Sequence, residues 1–91
     1  MDLLKEFDRK ISLVDGMLHE TGGKFGEWMD NYINSCIEIA DRYYQDNRKK
    51  KDLLEIIDFH MMQYENAKQW KYYADEMRFL SALKSKIEQF N

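Results

Sequence analysis

Residues 53–90, LLEIIDFHMMQYENAKQWKYYADEMRFLSALKSKIEQF, contain no glycine, no proline and no polar gap. Nothing in them demands a turn, so one helix of about 38 residues, roughly 57 Å long at 1.5 Å per residue, is the arrangement local chemistry favours. The apolar spacing complicates this. Leu53, Ile57, His60, Tyr64 and Ala67 step by 4, 3, 4, 3, whereas Ala67, Trp70, Tyr73, Met77, Leu80, Leu83, Ile87 and Phe90 step by 3, 3, 4, 3, 3, 4, 3. A stripe that advances faster than the helical repeat rotates around the helix, so its two halves face different partners. The alternative is a break near Glu65 and Asn66, where Asn66 followed by Gln69 resembles a capping pair.

Upstream, Arg48, Lys49, Lys50 and Lys51 form a polar linker, and Asp52 is suited to cap the helix that follows. Before the linker, Met29, Ile33, Cys36, Ala40 and Tyr43 step by 4, 3, 4, 3, which predicts a helix over about 26–45. Leu4, Phe7, Ile11, Val14 and Leu18 give the same pattern for a helix over about 2–19, with Asp2 and Glu6 at its positive end. All four glycines (Gly16, Gly22, Gly23 and Gly26) lie in the first third, and residues 21–26 read as the turn between these two helices. The predicted fold is therefore all-α: a small bundle of two helices of about 18–20 residues and a long C-terminal helix, or four helices if that segment breaks. An unbroken helix would project beyond the first hairpin and bury Trp70, Tyr73, Met77 and Leu80 on a second copy, making a homodimer.

A chain of 91 residues makes one small domain, which buries only roughly 60 to 65 % of its unfolded surface. With 44 % hydrophobic and 14 % aromatic residues it has the apolar area to fold. Net charge −3 is too balanced for a general binder of nucleic acid or anionic membrane, and no apolar run reaches the roughly 18 residues of a membrane span. The single cysteine, Cys36, has no intrachain partner, and the first six residues include Asp2 and Glu6 where a secretory leader needs a basic segment. A reducing cytoplasm is the expected location.

The catalytic inventory is thin. His60 lies within an apolar stripe and reads as a packed imidazole; Cys36 lies among Met29, Ile33 and Ala40 and reads as a small core hydrophobe. The residues three before His19 and His60 are Gly16 and Ile57, so the Glu-x-x-His pattern of di-iron bundles is missing. Residues 22–26 lack the spacing of a phosphate loop. No enzyme activity, metal or cofactor is expected.

Two charged surfaces and one apolar one remain. Glu27, Asp30, Glu38 and Asp41 share one face of the second helix with Tyr44 at the edge, and carboxylates beside an aromatic suit a basic protein partner. Arg48, Lys49, Lys50 and Lys51 carry four of the fourteen positive charges and could contact phosphate, which gives the alternative of a nucleic-acid-associated regulator. Phe59, Met62, Tyr72 and Phe79 fall outside the main stripes, and predict either a second buried face or an interface. The expected function is a non-enzymatic protein-interaction module: an adaptor, chaperone or stoichiometric inhibitor.

Overall fold

The computed structural model describes residues 2–20, 27–67 and 73–90, the side chains of Asp15, His19, Glu20 and Glu27 excepted. Among the described residues the fold has four helices: α1 (Leu3–Glu20), α2 (Glu27–Asn47), α3 (Lys50–Glu65) and α4 (Ala74–Glu88). In α1 the predicted stripe of Phe7, Ile11, Val14 and Leu18 is buried, with Leu4 packed at its edge. The Asp2 carboxylate accepts the Lys5 backbone N–H at 3.2 Å, satisfying one of the free amides of the first turn. Met29, Ile33, Cys36 and Ala40 form the buried stripe of α2. The turn predicted over residues 21–26 lies outside the described residues.

Helix α2 ends on a left-handed residue that is not glycine: Arg48 has φ of 53° and donates its N–H to the Tyr44 carbonyl at 2.8 Å. This closes the last turn of α2 and leaves only Arg48 and Lys49 between the helices. Lys50 and Lys51, expected in the linker, are already helical. Asp52 is not the cap of α3, because it stands in the first turn, where its Oδ2 accepts the Tyr43 hydroxyl at 2.5 Å.

Of the two arrangements expected for residues 53–90, the structure takes the broken one: the unbroken helix is overturned, and the break falls near Glu65 and Asn66, giving the four helices. Helix α3 ends at Glu65, where the Asn66 N–H returns to the Met62 carbonyl at 3.0 Å and the Ala67 N–H to Tyr64 at 3.2 Å. The pairs Lys84–Asp58 and Lys50–Glu88 lie at matching distances from the break, so α4 runs back antiparallel along α3. Packing decides this against local propensity. A helix of roughly 57 Å at 1.5 Å per residue would exceed the longest dimension of the fold, 37 Å, whereas the return lets Leu53 and Ile57 share a core with Phe79, Leu80, Leu83 and Ile87. The rotating stripe is thus two stripes, each facing the same interior.

Helices α1 and α4 occupy one diagonal of the bundle, and α2 and α3 the other. Three of its sides are well packed; the seam between the parallel helices α1 and α3 is the thinnest. That seam positions the site below.

Candidate interaction surface

The acidic face of α2 is solvent-facing as expected. Asp30, Glu38 and Asp41 are exposed, Asp41 accepts the Gln45 side-chain amide at 3.3 Å, and among the described residues none of the three forms an ion pair. The Glu27 side chain lies outside the described residues. Tyr44, one turn beyond Asp41 on α2, is engaged within its own chain. Its ring lies 5.4 Å from that of Phe90, beneath the Arg48 guanidinium at 5.3 Å and the Lys50 ammonium at 6.0 Å. An aromatic so close to two cations is used by its own chain.

The basic cluster is exposed except at half-buried Lys50, and two of its members make contacts within the chain. The Lys50 ammonium donates to the Glu88 carbonyl at 3.0 Å, offsetting the negative end of α4, and Lys51 lies 3.8 Å from Glu55 one turn on. Arg48, Lys49, Lys50 and Lys51 line an open hollow of about 650 Å³ together with Tyr44 and Asp52.

Of the four residues expected to self-associate, the three described ones differ in their surroundings. Leu80 is buried in its own chain's core, Met77 is half-buried, and the Tyr73 ring stacks on Tyr64 at 4.7 Å. Trp70 lies outside the described residues. Leu80 is taken up because the chain reverses after α3, and with that reversal goes the geometric need for a second copy. The suspected second face divides too. Phe79 is buried against Tyr32, ring centroids 5.9 Å apart, and Tyr72 lies outside the described residues. Phe59 and Met62 stand out in solvent, 59 % and 57 % exposed, on neighbouring turns of α3.

Beside Phe59 runs an open groove of about 460 Å³ along the α1–α3 seam, lined by Leu4, Asp8, Asp52, Glu55, Ile56 and Phe59. Leu4 and Ile56 are half-buried and pack on the core. Three apolar side chains and three carboxylates line it, with no cation. None of the sequence patterns marks this groove: Leu4 is the end member of the α1 stripe, Ile56 lies outside the stripe of α3, and only the packing of α1 on α3 brings them together.

His60, expected as a packed imidazole, is buried, and its Nε2 lies 2.6 Å from Asp8 Oδ1. The two residues are 52 positions apart, and no local signal pairs them. Burial pushes the Cys36 thiol up to about 12, so thiolate, the reactive form, is scarce at neutral pH. Burial likewise pushes Tyr32 up to about 12; its hydroxyl donates to the Lys10 carbonyl and ties α2 to α1. Among the described residues no three His, Cys, Asp or Glu side chains converge as metal ligands would, and no helix is long and apolar enough to cross a membrane.

The chain matches no protein-family model, no curated protein and no solved structure. Its function is therefore argued from its own surfaces.

Proposed function

We propose that this protein is a non-enzymatic interaction module, working as an adaptor, chaperone or stoichiometric inhibitor on a basic protein partner. The observation that carries the reading is the adjacent pair Phe59 and Met62, each more than half exposed on α3 while Phe79, Leu80 and Ile87 are buried. Large apolar side chains grouped on a small surface cost solubility and suit an interface anchor. The acidic face of α2, with Asp30, Glu38 and Asp41, adds a field that draws a basic partner in. A protonated buried thiol and a histidine engaged by Asp8 leave little for catalysis. The thiol also suits a reducing compartment such as the cytoplasm.

The nucleic-acid reading rests on Arg48, Lys49, Lys50 and Lys51. It is the weaker one, since Lys50 and Lys51 are directed at Glu88 and Glu55 of the same chain. Phosphate contacts would reveal themselves as affinity for duplex DNA falling linearly in log salt.

In vivo cross-linking in the native host, comparing wild type with Phe59→Ser/Met62→Ser, tests the proposal. A partner that cross-links to wild type, is lost with the double variant, and forms a saturable complex when purified is the expected result. A partner retained equally by both proteins, or affinity for nucleic acid alone, overturns it.

A further inference from the structure

We infer that the α1–α3 groove takes an apolar side chain presented on a lysine- or arginine-rich amphipathic helix of the partner; this rests on the interaction reading above and names the chemistry of its ligand. The groove has two components. Leu4 and Ile56 give it an apolar floor continuous with the core, and Phe59 forms an exposed wall. Asp8, Asp52 and Glu55 line the same hollow.

The carboxylates select the occupant. Asp8 uses Oδ1 toward His60, Asp52 uses Oδ2 toward the Tyr43 hydroxyl, and Glu55 meets Lys51 only at 3.8 Å in an exposed pair. Each carboxylate therefore has an oxygen left for a further donor. A purely apolar occupant would strip water from these oxygens without replacing its hydrogen bonds, and an acidic one would be repelled. An apolar side chain flanked by Lys or Arg satisfies both components at once. Leu4 and Asp8 lie one turn apart on α1 and Asp52 and Phe59 two turns apart on α3, and Asp8 meets His60 beyond them, so the hollow is lined along both helices, as a groove that accepts a helix is.

The experiment uses the full chain and a fluorescent amphipathic peptide built from leucine and lysine, with a leucine–glutamate and a serine–lysine peptide as controls. Saturable binding of the leucine–lysine peptide is expected, with methyl NMR shifts at Leu4 and Ile56. Phe59→Ser and Glu55→Lys, both at exposed positions, should each weaken it roughly tenfold or more while leaving the thermal melt unchanged. The serine–lysine peptide should bind at least roughly tenfold less well, and the leucine–glutamate peptide not at all.

Equal binding by either control peptide, indifference to Phe59→Ser, or shifts confined to α2 would overturn the inference. A free protein that sediments as a dimer and is split by Phe59→Ser would also overturn it, assigning the groove to a second copy. If the native partner depends on Phe59 and Met62 but the leucine–lysine peptide does not bind, the groove chemistry is wrong while the interaction reading survives. If the partner is indifferent to that pair, the interaction reading itself falls.

Discussion

His60 Nε2 and Asp8 Oδ1 lie 2.6 Å apart across the α1–α3 seam, joining two helices that otherwise touch lightly. The imidazole is buried and the carboxylate half-exposed, so the contact satisfies a polar group that would otherwise be costly to enclose. The Phe59 ring stands edge-on to the same imidazole, centroids 5.8 Å apart. One hydrogen bond thus sets the register of the seam and supports the wall of the groove.

Removing the acceptor leaves the buried imidazole unsatisfied, so Asp8→Ala should destabilise the fold by about 1–2 kcal/mol. Replacing both partners removes the polar group together with its need, so Asp8→Ala/His60→Leu should cost less than the sum of the single changes. Urea denaturation of the four proteins in a double-mutant cycle checks this. Additive costs would mean that the two side chains contribute independently.

Leu80 should behave as a core residue of a single chain. Leu80→Ala is expected to cost about 2–5 kcal/mol of stability and to leave the sedimentation coefficient of the folded protein unchanged. Met77→Ala, at a half-buried position, should cost less. Were Leu80 an interface residue, its loss would instead shift an association equilibrium and make the melting temperature depend on protein concentration.

The stripes of α1 and α2 are legible because each helix presents one face to one core, so spacing alone identifies Phe7, Ile11, Met29 and Ile33. The break after α3 is hardly legible. It uses neither glycine nor proline, and its one local sign is Asn66, a residue that suits a helix end without requiring one. Tertiary packing supplies the rest, through the core that Ile57 and Leu83 share. Phe79, outside the stripe and legible only as either a second buried face or an interface, is buried because α4 is wedged between α2 and α3 and buries two consecutive residues, Phe79 and Leu80, where a stripe admits one. The groove and the Asp8–His60 contact are invisible in sequence, being products of which helices lie side by side. The engagement of Tyr44 with Phe90 is likewise a product of tertiary packing that no spacing in the sequence announces.

Alkaline pH should unfold the protein through two groups that burial holds protonated. In the unfolded chain the Cys36 thiol ionises near its ordinary 9.0 and the Tyr32 phenol near 10.0, whereas in the fold both are pushed up to about 12. Between those values the unfolded state binds fewer protons, so this stability is fully present below pH 9 and is lost as pH rises toward 12. Cys36→Ala should flatten the early part of the decline and Tyr32→Phe the later part. Urea midpoints measured against pH give the result, and a midpoint unchanged across this window would contradict the burial of both groups.

Charge on α2 and apolar surface on α3 should separate kinetically. Asp30, Glu38 and Asp41 face solvent on one diagonal corner of the bundle, while Phe59 and Met62 occupy the other, so a short helix seated on the seam does not contact both. The α2 carboxylates then act at a distance, through a field that raises the encounter rate of a basic ligand and is screened by salt. Asp30→Asn/Glu38→Gln/Asp41→Asn should lower the association rate of the leucine–lysine peptide by roughly two- to tenfold at low ionic strength, flatten its salt dependence and leave dissociation unchanged. Phe59→Ser should do the reverse, accelerating dissociation because the desolvated anchor is gone. Tyr44→Ala, beneath Arg48 and against Phe90, should change stability and neither rate. Stopped-flow fluorescence over a salt series resolves the cases. Faster dissociation from the triple variant, with Phe59→Ser silent, would move the contact surface to α2 and leave the exposed pair on α3 without a role in binding.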